Sequence, residues 1–290
     1  MSAPAVSIVI RCRDEAAHLG PVLARVLAQR NAPPFEVVAL DSGSTDGTLE
    51  LLARHPVRVE RLAGDGWSYG RALNTGARAA HGPLVVYLSA HCSPLPEDWL
   101  ARLVAPFDDP AVVATFGRQV PVPGVNPIEA MTTTRNFPPA PPPAVLFSTA
   151  NGAVRRSVAL ARPFDEEIAI AEDHLWARAV QPPERIAYVP TATVEHSHPM
   201  GFGHWRARFY AHGLAAEYAR RRRGEELPWG DADPHATRIA LGRAGAFVRL
   251  VGALGRQGEL RALALLPAYT LARTVCYARG VRDGARRYGA

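Results

Sequence analysis

The chain has 290 residues, of which 48% are hydrophobic and 21% charged: ordinary globular composition, with length enough to bury a sizeable core. The net charge is +6 and every basic side chain is an arginine, a usage that reads as codon bias rather than as a nucleic-acid footprint, so no nucleic-acid partner is expected. Three cysteines, Cys12, Cys92 and Cys276, are odd in number and far apart, which excludes a disulfide framework and a thiolate metal site. No basic leader with a cleavage signal precedes the first apolar run. The apolar stretch Leu260 to Ala272 is interrupted by Arg261, Pro267 and Thr270 and is too short to span a bilayer. A cytoplasmic protein is expected. The cluster Arg220, Arg221, Arg222 and Arg223 suits anionic lipid and peripheral contact with the inner face of a membrane, or equally a solvated helix face.

In chain order, Ala5 to Arg11 is a β-branched run of the kind buried on both faces of a sheet. Ala16 to Gln29 carries Leu19, Val22, Leu23, Val26 and Leu27 at helical spacing. Phe35 to Leu40 is a second strand, followed by the turn Asp-Ser-Gly-Ser-Thr-Asp-Gly and a helix from Leu49 to Arg54. Val57 to Leu62 gives a third strand, Tyr69 to Ala80 a helix, Leu84 to Leu88 a fourth strand and Glu97 to Phe107 a further helix. Strands alternating with helices in this way predict an α/β fold with a mostly parallel, Rossmann-like sheet flanked by helices. Residues 119–147 are proline-rich and read as a long irregular segment, functional or mobile. Beyond them, 145–158 returns to strand-like order and 171–180 reads as a helix opened by acidic residues at its positive end. Residues 185–199 read as two short strands, and from Trp205 onward the chain is helical and Arg-rich, with a turn at Leu227 to Pro234. Two domains follow, 1–204 and 205–290.

Ligands of such sheets bind beyond the carboxyl ends of the strands, which is where the polar clusters of this chain fall. Asp41 stands at the second strand end, where a carboxylate can accept a base N–H or a ribose hydroxyl, while Asp46 or Thr45 is placed to cap the next helix. Glu172 and Asp173 open a helix, as dipole compensation or as a general base. His196 and His198 alternate along an extended segment, so both imidazoles share a face, as metal ligands or as half-exposed strand residues. Arg155 and Arg156 could meet phosphate or simply face solvent. Gly70, Arg71, Asn74 and Gly76 begin a helix beside the nucleotide region, where glycine permits close backbone approach and helix packing explains Gly76 equally.

Taken in order, the segments SIVIRCRDE, VVALDSGSTDGT, YGRALNTGARAAHG, VVYLSAHCSPLPEDWL, FGRQ, ANGAVRRSV, FDEEIAIAEDHLWARAV and ATVEHSH resemble glycosyltransferase family 2 on the GT-A fold. The resemblance runs from about Val6 to His198, more loosely to Tyr218, and is strongest to the bacterial rhamnosyltransferase-type branch. It implies an inverting transferase that moves a sugar from a UDP-, dTDP- or GDP-linked donor to a hydroxyl acceptor. That acceptor would be a cell-envelope glycan, a glycolipid or other lipid-linked glycan, or a secondary metabolite. By the family's pattern Asp14 or Glu15 and Asp41 contact ribose and base, with Gly70 and Arg71 nearby. Asp173, next to Glu172, maps to the catalytic base, and Arg155 and Arg156 are candidates for the diphosphate.

The chain departs from the family where an Asp-x-Asp pair usually stands: it has Ser89-Ala90-His91. An Asp-x-His variant in other GT-A enzymes holds Mn²⁺ with an added downstream histidine, so His91 with His196 or His198 is the implied metal site, with Ser89 a hydrogen-bonding contact and Cys92 packing. Imidazole shifts the preference from Mg²⁺ towards Mn²⁺. The missing aspartates also leave open a nucleotide-sugar-binding protein without turnover. A nucleotidyltransferase would carry a Gly-rich, Lys-bearing phosphate loop near its N-terminus, and none is present.

Overall fold

The computed structural model describes residues 3–62, 67–140, 147–180, 182–196, 201–227 and 260–289. These form two compact units: residues 1–123, 132–167 and 172–197 in the first, and residues 124–131, 168–171 and 198–290 in the second. Two short segments, 124–131 and 168–171, cluster with the residues from 198 onward.

The first unit is built on eight strands among the described residues. β1 (Val6–Cys12), β2 (Phe35–Asp41) and β4 (Leu84–Ser89) are parallel and buried on both faces, as their continuous apolar runs require. β3 (Arg58–Arg61) extends the parallel set beside β2. The order across the sheet is β3-β2-β1-β4-β7-β6-β8-β5, with β5 (Ser93–Pro94), β6 (Val112–Val120), β7 (Asn151–Arg155) and β8 (Arg185–Glu195). β7 runs antiparallel to both neighbours, β4 and β6. One face carries α1 (Ala16–Leu27), which buries Leu19, Val22, Leu23 and Val26, and α4 (Trp99–Val104). On the other lie α3 (Tyr69–Ala79), α6 (Arg156–Ala161) and α7 (Glu172–Arg178), packed on Tyr87, Phe147 and Phe164. α2 (Thr48–Leu52) is a single short helix after β2.

Three expectations are corrected. Residues 119–147 are not one irregular segment: β6 runs to Val120 and α5 (Pro127–Asn136) follows, although 141–146 lie outside the described residues. Gly117, Arg118 and Gln119 interrupt the apolar pattern of β6, and the threonines of α5 are weak helix formers with only Ile128 and Glu129 buried, so neither element shows as a period. Residues 185–195 form one strand rather than two short ones. Pro190 lies where the pairing with β6 jumps from Val189 opposite Gly117 to Val194 opposite Gln119, so its missing N–H interrupts no ladder there. Third, the helix expected from Glu97 tightens after Val104 into a 3₁₀ turn, Ala105–Asp108, that contains Pro106. The predicted turn after Leu227 lies outside the described residues.

In the second unit α8 (Phe202–Tyr218) packs against α9 (Leu260–Tyr288) through Trp205, Phe209, Leu266 and Ala272. Of the arginine cluster, Arg220 and Arg221 are bound by the buried carboxylate of Glu217 on the preceding turn. No helix among the described residues is long and apolar enough to cross a membrane.

Asn151 pins the reversal at β7. Fully buried, it accepts the Trp99 indole N–H at 3.0 Å and donates to the carbonyls of Arg118 and Ala192 at 3.2 and 3.0 Å. Asn151→Ala strands all three partners, and we expect it to lower the unfolding free energy by about 3 kcal/mol or more, read as a shift of the urea midpoint.

Candidate active site

Parallel pairing sets Cys12 opposite Asp41 and Arg11 opposite Ser89, so the loops after β1, β2 and β4 leave the sheet along one edge. Asp41 is 2% exposed, and its carboxylate accepts the backbone N–H groups of Gly43 at 3.0 Å and Ser44 at 3.2 Å. These bonds shape the wall of a cleft of about 280 Å³ lined by Asp41, Gly43, Ser44, Leu49, Arg61 and Leu62.

The loop after β1 is tied to the loop after β2. Asp14 holds the left-handed conformation (φ 54°) that aspartate tolerates; it accepts the N–H of Thr45 at 2.7 Å and donates its own N–H to Ser44 Oγ. The N-cap position of α2 is Gly47, and Asp46, rather than Thr45, supplies the side chain that meets the helix starts. Its two oxygens take the N–H of Thr48 at the start of α2 and that of Ala16 at the start of α1. Glu15 is anchored by its N–H to Thr48 Oγ1 at 2.8 Å. Its side chain meets His91 Nδ1 at 2.9 Å and His18 Nδ1 at 3.3 Å, so the carboxylate faces the two histidines.

His91 and His196 stack, with ring centroids 5.2 Å apart and planes 26° from parallel. Gln119, buried on β6, donates Nε2–H to Ser148 Oγ and turns its carbonyl to His196 Nδ1 at 2.5 Å. Both imidazoles are thus held by an acceptor at Nδ1, which in the neutral ring leaves Nε2 as the lone-pair nitrogen. This is the outer-shell arrangement of metal-binding histidines. It amounts to half a site: among the described residues no group of three His, Cys, Asp or Glu side chains is arranged around one ion, and His198 lies outside them.

Beside the histidines, Thr149 joins β1 to α7. Its carbonyl accepts Arg11 Nη2–H at 3.4 Å and its N–H donates to Asp173 Oδ2 at 3.3 Å. The other Asp173 oxygen accepts the N–H of His174 in the first turn of α7. Glu172 points inward and is 4% exposed; burial first, and then the Asp173 charge, raises its pKa above the ordinary value, while Arg11 and a hydrogen bond with Thr149 pull it down. Ser89 Oγ accepts Arg11 Nη2–H at 3.4 Å, and Cys92 is fully buried with its thiol pushed up to about 12 by burial, a packing residue as expected.

The remaining expected residues fall elsewhere. Because β7 is antiparallel, Arg155 pairs with Leu84 at the opposite end of β4 from Ser89. There it donates to the carbonyls of Val112, Phe107 and Asp109, while Arg156 donates to those of Ala77 and Arg78. Both clamp backbone, and neither belongs to the site. The close approach at Gly70 is to protein, since a Cβ there would lie 2.0 Å from the carbonyl oxygen of Asp165. Arg71 sits in the first turn of α3, whose cap is Ser68 Oγ accepting the Arg71 N–H. Three residues that shape the site had no assigned role: Arg11, Thr149 and Gln119. Arg11 did leave a signal, a charge at an inward position of an otherwise apolar strand.

Comparison with known proteins bears on this geometry. The profile of Glycosyl transferase family 2 matches residues 7–160. The O-antigen chain rhamnosyltransferase RfbN of Salmonella typhimurium is 26% identical over 199 residues, a match that spans 63% of this chain and 63% of that protein. Among solved structures, the mannosyltransferase PcManGT of Pyrobaculum calidifontis, in complex with GDP-Man and Mn²⁺, superposes with a TM-score of 0.64 at 22% identity, covering 98% of this chain and 88% of its own. S. aureus TarS in complex with UDP-GlcNAc gives 0.54 at 16% identity, covering 97% and 91%. At these identities the solved structures establish the fold.

The buried Glu172 has a measurable consequence. Its folded-state pKa is raised above 4.5, so as the pH climbs past that value the unfolded chain loses a proton that the folded one keeps. Stability therefore falls with rising pH across that window, by up to about 1.4 kcal/mol per pH unit. Glu172→Gln mimics the protonated form, and the difference between variant and wild type in urea unfolding at pH 5 and pH 8 is expected to favour the variant only at the higher pH. Parallel pH profiles would show that the site does not hold Glu172 protonated.

Proposed function

Because the chain belongs to glycosyltransferase family 2, we propose that it moves a sugar from a nucleoside diphosphate sugar to a hydroxyl acceptor with inversion at the anomeric carbon. The observation that carries the reading is Asp173, placed at the head of α7 by the N–H of Thr149 and set beside the strand ends that hold Arg11 and Ser89. As general base, its carboxylate takes the proton of the acceptor hydroxyl while that oxygen attacks the anomeric carbon from the face opposite the diphosphate. Glu172, buried and shifted towards its protonated form, keeps a second negative charge away from Asp173. The cleft beside Asp41 receives base and ribose, with Asp14 holding its rim.

His91 and His196 are the residues that would hold a divalent cation, Mn²⁺ in preference to Mg²⁺, with His198 as the candidate third ligand. Such a cation supplies charge for the departing diphosphate. Mn²⁺ accompanies GDP-Man in the P. calidifontis mannosyltransferase, which supports a divalent cation here. The likeness to the S. typhimurium rhamnosyltransferase supports rhamnose as the sugar and a cell-envelope glycan as the acceptor.

Two measurements test the proposal. With the donor found by screening UDP-, GDP- and dTDP-sugars, Asp173→Asn should lower kcat by about 100-fold or more with donor affinity little changed; equal turnover would remove Asp173 as the base. Mn²⁺ titration by electron paramagnetic resonance should show His91→Ala abolishing the site and Glu15→Ala weakening it by about 10- to 100-fold. Full turnover in chelator would eliminate the cation.

A further inference from the structure

Strand alternation turns Arg11 to the same side of β1 as Val9, towards the core that holds Tyr87, and register sets it beside Ser89. Its guanidinium faces the ring of Tyr69, whose centroid lies 5.5 Å from the central carbon. Among the described residues only Nη2 has hydrogen-bond partners, Ser89 Oγ and the Thr149 carbonyl, both at 3.4 Å. Nε and Nη1 are buried from solvent and meet no acceptor among the described residues. Nor does a carboxylate of a described residue pair with Arg11. Glu172 lies close enough to feel its charge, yet burial shifts Glu172 towards the neutral form.

Buried donors are almost always satisfied, and a buried charge is almost always paired. A guanidinium with donors unmet on a ligand-binding strand edge is a cation set aside for a guest. The guest must be anionic and rich in acceptor oxygens, since each edge of the fork has one donor unmet. The metal motif of this chain carries Ser89 and His91 where carboxylates would stand, so a fixed positive charge here meets no acidic competitor on that loop.

We infer that Arg11 is a diphosphate ligand of the donor, its Nε–H and Nη1–H groups, one on each edge of the fork, each offering a single hydrogen bond to a diphosphate oxygen. This rests on the transfer reaction proposed above and assigns to β1 the role expected of Arg155 and Arg156. In the reaction the bond from the anomeric carbon to the diphosphate oxygen breaks, its electron pair goes to that oxygen, and Arg11 holds the charge as it develops.

The test is calorimetric titration of wild type, Arg11→Met and Arg11→Lys with UDP, GDP and dTDP, with the three nucleosides, and with inorganic pyrophosphate. For whichever nucleotide binds wild type, Arg11→Met should weaken the diphosphate by about 10- to 100-fold while the nucleoside changes by less than about two-fold, with Arg11→Lys in between. An unchanged diphosphate affinity overturns the assignment. So does an equal loss on nucleoside and diphosphate, which marks damage to the fold. Should Arg11→Met fail to fold, Arg11→Lys carries the test, because ammonium keeps the charge and loses the fork; affinity equal to wild type overturns the assignment. Failure of every nucleotide to bind wild type would defeat the transferase reading alone, since pyrophosphate still reports on Arg11: binding lost in Arg11→Met supports the anion site, and binding retained overturns it.

Discussion

The site depends on the direction of one five-residue strand. β7 enters between β4 and β6 against the run of the sheet, and Asn151 fixes its start by bonding Trp99 on one side and the carbonyls of Arg118 and Ala192 on the other. That reversal brings the chain just before it, Ser148 to Ala150, to the carboxyl edge of β4. Ser148 then orients Gln119, Thr149 reaches both Arg11 and Asp173, and the Ala150 carbonyl receives the Ser89 N–H. A parallel β7 would have delivered its other end, with two arginines, to the same edge.

The charges around that edge are distributed in an uncommon way. The loop after β4 contributes no acidic side chain, and the nearest carboxylate, Glu15, is spent on orienting an imidazole. A second, Glu172, is withdrawn into the core and disfavoured as an anion. Of the acidic groups at this edge, Asp173 is tied to the N–H of Thr149 and Asp41 holds a turn. A dianionic guest therefore meets imidazoles and a guanidinium more than it meets like charge, which is the electrostatic condition for binding a diphosphate with few carboxylates to bridge.

Much of this was legible beforehand, for local reasons. Runs such as VSIVIRC and LVVYLS have one reading in a sheet buried on both faces, and turn chemistry sets Asp41 at the strand end and Asp46 at the next helix start. What stayed hidden depends on pairing between distant segments. Arg155 and Arg156 read as phosphate ligands until the direction of β7 was known, since nothing in RRSV tells parallel from antiparallel. The family's pattern offers Asp14 or Glu15 for ribose and base, and nothing local shows that the partner of Glu15 is His91, seventy-six residues away. β6 went unrecognised because its polar end serves the site: Gln119 breaks the apolar pattern in order to hold His196.

The loops after β1 and β2 share their hydrogen bonds: Asp14 with Ser44 and Thr45, Glu15 with Thr48, Asp46 with Ala16. They form one mechanical piece, and Glu15 at one end of it touches His91 while Asp41 at the other borders the cleft. If guests bind at both ends, one that stiffens the cleft would meet part of the entropic cost of holding Glu15 against His91, and the two occupancies would be linked. By the reciprocity of linkage, a guest at the imidazoles would then report on a guest at Asp41 through the bonds that join the two loops.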